Sequence, residues 1–126
     1  FADSTAKKTL ERILHPLVGQ EIERQALAAQ QAGSTCVVFD IPLLVESKDW
    51  RAVLSRIVVV DCSEEIQIQR VMARNGRARS DVERIISAQA SRSNRLAAAD
   101  LILFNEGITL DALEGQVWEI GAQFGL

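Results

Sequence analysis

The sequence has few lysines, few cysteines and no glycine-rich phosphate loop. None of its seven glycines begins the pattern G-x-x-x-x-G-K-[ST], and none of its three lysines has a glycine-rich neighbourhood. Cys36 and Cys62 have neither metal-site spacing nor a disulfide framework, so we expect free thiols, no metal site and a reducing cytoplasm. No apolar run approaches the roughly 18 residues of a membrane span, so we expect no membrane contact.

Aromatic residues are absent from position 51 to position 103, a range that includes the stretch 70–95 with half of the basic residues. The stretch 70–95 holds seven arginines and two acidic residues, in a chain whose formal net charge is −3. The positive charge is therefore local, which favours one element that faces an anion on an otherwise acidic body. Because no aromatic side chain is available there for stacking on bases, we expect that anion not to be nucleic acid.

Apolar residues recur at the helical period near the start of the chain, where Pro16 interrupts them. Proline lacks a backbone N–H and disfavours helical geometry in the residue before it. We therefore expect one helix that ends near His15 and a second that runs from Pro16 to about Gln31. Gly33 is expected to end the helical stretch.

Three short apolar runs at 36–40, 57–61 and 100–105 predict strands that are buried on both faces, since they do not alternate with polar residues. Helical patterns separate them, and this alternation predicts an α/β fold with a three-stranded parallel sheet. With 126 residues, the chain is expected to form a single domain.

Capping residues predict where the later helices begin and end. Ser63 and Gly76 are expected to bound a helix over 64–75. Ser80 and Glu83 have capping-box spacing, which predicts a helix from Asp81 after an elbow at 76–82. A last helix is expected to start at Thr109. The side chains predicted to face the core from these two helices are Val82, Ile85, Ile86, Leu110, Leu113, Val117 and Ile120.

Polar residues follow the predicted strands at Asp40, Asp61 and Asn105, and ligands bind at the carboxyl ends of such strands. Arg70 and Arg74 are one helical turn apart, so both should project from one helix face. Arginine has a fixed fork of donors that matches phosphate oxygens. The alternative is a solvated helix pair with surface ion pairs such as Arg77 with Asp81.

Five motifs resemble the bacterial dephospho-CoA kinase family in order and spacing. This P-loop kinase transfers phosphate from ATP to the ribose 3′-hydroxyl of dephospho-CoA in coenzyme A synthesis. The resemblance covers essentially the whole chain and implies the C-terminal two-thirds of such an enzyme. The motifs are "ILHPLV" (13–18), "DIPLLVE" (40–46), "RVMARNG" (70–76), "RIISAQ" (84–89) and "ADLILFNEG" (99–107).

The resemblance implies a nucleotide-kinase-like core, a helical substrate region at 1–33 and a helical lid at 76–92. It implies ATP and dephospho-CoA as partners, with Mg²⁺ in the intact enzyme and no cofactor tightly bound to this chain. It also implies site residues. Arg70 and Arg74 would contact ATP phosphates as catalytic groups, Arg77 would face the triphosphate from the lid, Asn105 and Gly107 would lie by the adenine, and His15, Pro42 and Leu43 would line the dephospho-CoA side.

The sequence departs from the family because it contains neither the P-loop nor the catalytic acid, which the family has upstream of the position matching Phe1. We therefore expect a truncated chain that is inactive alone and that self-associates through exposed strand edges. Two alternatives stay open. One is another P-loop nucleoside or small-molecule kinase, and the other is a non-catalytic module that binds anions or nucleic acid.

Overall fold

A computed structural model describes residues 4–47 and 50–126 of the chain. The first residues of the predicted 1–33 region and Lys48 lie outside this part. The described chain divides into two compact units, residues 1–39 and residues 40–126. The elements are α1 (Ser4–Gln31), a 3₁₀ turn (Trp50–Ala52), β1 (Val58–Asp61), α2 (Glu64–Asn75), α3 (Arg79–Ser87), α4 (Arg92–Ala98), β2 (Leu101–Phe104) and α5 (Leu110–Gln123).

The first unit contains α1, which continues through Pro16. The predicted break at this proline is wrong. Proline removes one backbone donor and crowds the carbonyl four residues earlier, a local cost that the good helix formers on both sides tolerate. Gly33 ends the helix as predicted: its φ is +81°, its N–H donates to Gln30, and the N–H of Ser34 donates to Ala29.

The predicted strand at 36–40 is not formed in the described residues, so the expectation of three strands is wrong. A strand requires a neighbouring strand, and the described sheet contains only the pair formed by 58–61 and 101–104. Val38 within it is almost fully exposed. The predicted α/β class with a parallel sheet is confirmed, with two strands.

The sheet in the second unit pairs β1 and β2 in parallel, from Val58 beside Leu101 to Asp61 beside Phe104. The three helices α2, α3 and α4 form the crossover that a parallel pair requires. The predicted burial on both faces is wrong, because alternate residues of each strand are exposed, and Val60 is 64% exposed. The reason is that among the described elements α4 packs on β1 and α5 packs on β2, which leaves part of each strand uncovered.

Helix α2 begins and ends at the residues that the sequence predicts. The hydroxyl of Ser63 accepts a hydrogen bond from the N–H of Ile66, which satisfies one of the free donors of the first turn. Gly76 adopts a left-handed conformation with a φ of +63° and donates its N–H to the carbonyl of Met72.

Helix α3 begins at Arg79, two residues before the predicted start, and its cap residue Ala78 makes no side-chain hydrogen bond. The predicted capping box of Ser80 and Glu83 is therefore wrong. The Glu83 carboxylate instead accepts a 2.7 Å hydrogen bond from Nε of Arg79. This ion pair spans one turn and favours a helix that already includes residue 79.

Not all of the side chains that were predicted to face the core do so. Val82 is 2% exposed, as predicted, but Ile85, Leu110 and Val117 are exposed, Leu110 to 82%. Periodicity identifies a helix face, but the neighbours of that face decide its burial. The partly buried members of the predicted set are Ile86, Leu113 and Ile120.

Helix α4 has no counterpart in the sequence prediction, because seven residues carry too few apolar positions to give a periodic signal. Ser91 caps it by accepting a hydrogen bond from the N–H of Asn94. The last helix, α5, is capped by Thr109 as predicted.

The side chain of Gln116 in α5 makes two hydrogen bonds to the backbone of Phe104 in β2. The N–H of Phe104 donates to Oε1 at 3.1 Å, and Nε2 donates to the Phe104 carbonyl at 3.3 Å. Both groups belong to the edge of β2 that does not pair with β1.

Both cysteines are free, which confirms the prediction for Cys36 and Cys62. In the described residues no helix is long and apolar enough to cross a membrane.

Candidate functional site

Because β1 and β2 are parallel, their carboxyl ends lie at one edge of the sheet, and this edge carries polar residues. Asp61 is the last residue of β1, and its carbonyl accepts a 2.8 Å hydrogen bond from the N–H of Asn105, which follows β2. The prediction that these two residues lie together is confirmed. Asp40, the third residue expected there, follows no strand.

The buried carboxylate of Asp61 forms an ion pair with the half-exposed Arg92, in the first turn of α4. Asp61 is 4% exposed, and Nε and Nη2 of Arg92 lie 2.9 and 2.6 Å from its two carboxylate oxygens. The hydrogen bond from Arg92 lowers the pKa of Asp61, and the charges of Arg92 and Arg95 add to that effect against the opposing effect of burial. The carboxylate therefore stays ionised, and both of its oxygens accept hydrogen bonds from Arg92.

Residues 105–107 form a turn, named here the Asn-Glu-Gly turn, that is tied to the start of α2. The Glu106 carboxylate accepts a 2.7 Å hydrogen bond from the N–H of Ser63. This bond lowers the pKa of Glu106, and the positive charges of Arg92 and Arg70 lower it further. Gly107 has a φ of +66°, a left-handed conformation that favours glycine.

Of the predicted phosphate-binding arginines, Arg70 reaches this turn. Its Nη2 lies 3.5 Å from Oδ1 of Asn105, while Nε of Arg74 donates to the neighbouring Asn75 side chain. Arg77 is exposed in the short connection between α2 and α3. Within residues 4–47 and 50–126, none of these three arginines has a carboxylate partner.

The other arginines of the stretch 70–95 are engaged. Arg79 holds the Glu65 carboxylate through both terminal nitrogens, at 3.0 and 2.7 Å, and this contact lowers the pKa of Glu65 to about 2. Arg84 pairs with Asp81, so the surface pair expected between Arg77 and Asp81 is not formed. The stretch thus contains two groups of arginines. One group pairs with carboxylates and stabilises the fold, and the other has no carboxylate partner in the described residues and can bind a ligand.

Three residues were predicted to line a second substrate, and all three are exposed. His15 is exposed on α1, in the 1–39 unit. Pro42 and Leu43 are exposed in a turn of the other unit, and Leu43 has a φ of +60°. A positive φ is unfavourable for a residue with a branched side chain, and such strain is concentrated at functional sites.

One surface cavity, of about 240 Å³, lies between α2 and α3. Its lining includes Glu64 and Glu83 above the apolar side chains of Ile68 and Ile86, so its charge does not fit a phosphate. In the part of the chain that the structure describes, no group of His, Cys, Asp and Glu side chains comes together as a metal site.

Sequence reasoning identified Asp61, Asn105 and the free arginines, but it missed Arg92, Glu106 and the backbone N–H of Ser63. The dense arginine pattern of 70–95 was the available signal for Arg92. It could not indicate which of the arginines turns toward the sheet, because that depends on α4.

A parallel α/β sheet with polar strand ends and an arginine-bearing helical crossover agrees with a P-loop kinase-like fold, the class that structural similarity supports. The chain belongs to the dephospho-CoA kinase family, since the profile described as "Dephospho-CoA kinase" matches residues 1–111. This assignment agrees with the resemblance. It excludes the other family of P-loop kinases that the sequence alone left open.

Similar proteins support this assignment. The chain is 53% identical over 126 residues to the dephospho-CoA kinase of Albidiferax ferrireducens and covers 59% of that protein. It is 53% identical over 117 residues to that of Burkholderia thailandensis and covers 56% of it. In the crystal structure of TT1252 from Thermus thermophilus, the similarity covers 98% of this chain and 62% of the other, with a TM-score of 0.72 and 31% identity. The chain thus spans little more than half the length of the curated relatives.

Proposed function

We propose that this chain provides the lid and the strand-end wall of a dephospho-CoA kinase. The kinase would transfer a phosphoryl group from ATP, with its Mg²⁺, to the ribose 3′-hydroxyl of dephospho-CoA in coenzyme A biosynthesis. The observation that carries the proposal is the set of three arginines, Arg70, Arg74 and Arg77, without a carboxylate partner in the described residues. Free thiols support a reducing compartment, the cytoplasm.

In this proposal Arg70 and Arg74 bind the phosphates of ATP from one face of α2. Phosphoryl transfer depends on positioning and on neutralising the charge that spreads over the phosphate oxygens, and arginine forks do both. Arg77 belongs to the proposed lid at 76–92, which would close over the triphosphate and exclude water. No residue of this chain is proposed as a Mg²⁺ ligand.

The remaining site residues are assigned to the two substrates. Asn105 and Gly107, in the Asn-Glu-Gly turn, would lie by the adenine of ATP, and the contact of Asn105 with Arg70 supports a common nucleotide site. His15, in the helical region 1–33, and Pro42 with Leu43 would line the dephospho-CoA side. The positive φ of Leu43 supports a functional role for its turn.

A chimera tests the proposal. This chain replaces the matching part of the Albidiferax ferrireducens relative, and CoA formation from ATP and dephospho-CoA is measured. We expect an active chimera in which Arg70→Gln and Arg74→Gln each lower kcat/KM by about 100-fold or more, since each removes a donor to developing charge. Arg56→Gln is the matched control, because Arg56 is an exposed arginine that precedes β1, at the opposite edge of the sheet.

Two outcomes would contradict the proposal. In the first, Arg70→Gln and Arg74→Gln chimeras are as active as Arg56→Gln. In the second, a nucleoside monophosphate is phosphorylated in preference to dephospho-CoA. The 126-residue chain alone should form no CoA from ATP, because it contains no Walker-type glycine loop to hold the β- and γ-phosphates.

We also propose that this chain self-associates through β1. On its side away from β2, β1 has no strand partner in the described residues, and its own residues Val58 and Val60 are exposed. Unpaired backbone groups next to apolar surface favour pairing with another chain. Light scattering at micromolar concentration should give a mass above that of a monomer, and a monomeric mass would contradict this proposal.

A further inference from the structure

The ion pair of Asp61 and Arg92 has no role in the phosphate-binding set described above. Arg92 uses two of its nitrogens on the carboxylate, and its side chain is 40% exposed. A carboxylate that is buried at the end of a strand is unfavourable unless a charged and hydrogen-bonded partner accompanies it. An apolar residue at position 61 would avoid the cost of burying a charge. We therefore consider which neighbouring segment the ion pair holds in place.

The pair adjoins the Asn-Glu-Gly turn on two sides. The backbone carbonyl of Asp61 accepts the N–H of Asn105 at 2.8 Å. The positive charge of Arg92 also acts on Glu106, whose carboxylate holds the N–H of Ser63. One guanidinium therefore offsets the charges of two carboxylates, Asp61 beside the turn and Glu106 within it.

Removing this guanidinium would leave both carboxylates without the positive charge that now offsets their negative charges. Like charges in a partly buried setting disfavour each other. The backbone of Asp61 is held in place by its pairing within the sheet. Glu106 lies in a turn outside the strand, and the contacts that hold its carboxylate come from Ser63. The turn would therefore loosen at Glu106.

We propose that Arg92 is a positioning residue that fixes the Asn-Glu-Gly turn through Asp61 and Glu106, and that it thereby sets the affinity for ATP without touching the nucleotide. This inference rests on the proposed function, in which the turn lies by the adenine. Lysine replaces Arg92 only in part, since a single ammonium cannot engage both oxygens of Asp61 in the planar geometry of a guanidinium.

Steady-state kinetics of the chimera test the inference. We expect Arg92→Gln to raise the KM for ATP about tenfold while kcat changes by less than about threefold, because the turn binds the base and not the reacting phosphate. Arg92→Lys should lie between Arg92→Gln and the wild type. The double variant Asp61→Asn, Arg92→Gln should recover part of the loss, because it removes the unpaired buried charge.

Arg51→Gln is the matched control. Arg51 also holds an aspartate through two nitrogens, at 2.7 and 3.1 Å from the oxygens of Asp100, but that pair lies at the amino end of β2. The control should lower the melting temperature and leave the KM for ATP unchanged. An Arg92→Gln variant that behaves in the same way, or that loses kcat with KM unchanged, overturns the inference.

A second measurement on the 126-residue chain does not depend on activity. Amide hydrogen exchange at Ser63 and Asn105 should become faster in Arg92→Gln and not in Arg51→Gln, because the Ser63 amide loses its carboxylate acceptor. Unchanged exchange at both amides overturns the inference. If the wild-type chimera forms no CoA but exchange responds as expected, the positioning of the turn stands and the proposed function fails.

Discussion

Val82 gives the sharpest test of how α3 is attached to the rest of its unit. Its side chain is 2% exposed, and Val82→Ala removes about two methylene equivalents, which corresponds to about 1.6 kcal/mol of lost transfer free energy. The higher helix propensity of alanine returns roughly 0.5 kcal/mol, and any cavity that does not collapse adds to the loss. We therefore expect Val82→Ala to lower the free energy of unfolding by about 1–2 kcal/mol.

Urea denaturation followed by circular dichroism measures this change, and Val117→Ala is the matched control. Val117 also lies within a helix, α5, but it is 51% exposed, so alanine gives the same propensity gain with little loss of burial. The control should be neutral or slightly stabilising. If Val82→Ala is no more destabilising than Val117→Ala, α3 does not pack as described and the reasoning fails.

Three further predictions concern conformation, charge and thiols. Gly76→Ala should lower the free energy of unfolding by about 1 kcal/mol, because the φ of Gly76 is +63°. Gly115→Ala should raise the free energy of unfolding by up to about 1 kcal/mol, because Gly115 lies in open space within α5. Urea titration of both variants tests whether the two changes have opposite signs. The hydrogen bond from its arginine partner is the chief cause that lowers the pKa of Asp100 to about 2. The ionised carboxylate therefore stabilises the folded chain above its unfolded pKa of about 3.9, and this stabilisation is lost as the pH falls through about 2. Thermal melts of Asp100→Asn as a function of pH should lack this acid-dependent loss of stability. Both cysteines should titrate as free thiols in denaturant without reductant, and the exposed one should react faster in the native chain; a missing thiol would contradict this.

Local signals in the sequence predicted the elements that depend on local chemistry. Ser63, Gly76 and Thr109 bound helices where predicted, because a cap satisfies backbone groups within a few residues of itself. The two strands that pair with each other were also predicted within one residue of their ends. The run at 36–40 has equal strand character, yet it is not part of the described sheet, because a strand is completed only by a neighbouring strand.

The candidate site could be predicted only in part for the same reason. Arg70 and Asn105 could be placed because one lies on a regular helix and the other follows a strand. Arg92 could not, since its role depends on a short helix without a periodic pattern and on the burial of Asp61. Pro16 shows the converse, because a rule about one residue overestimated its effect on a helix of 28 residues.

The contact of Gln116 with Phe104 has a consequence for how the sheet can be extended. A carboxamide presents one acceptor and one donor side by side, as the backbone of a neighbouring strand would, and here it uses both on one residue of β2. A strand that approaches this edge must first displace the glutamine, so the new pairing begins with the loss of bonds already made. The Gln116 side chain therefore opposes extension of the sheet at β2, and a further strand would pair more readily with β1.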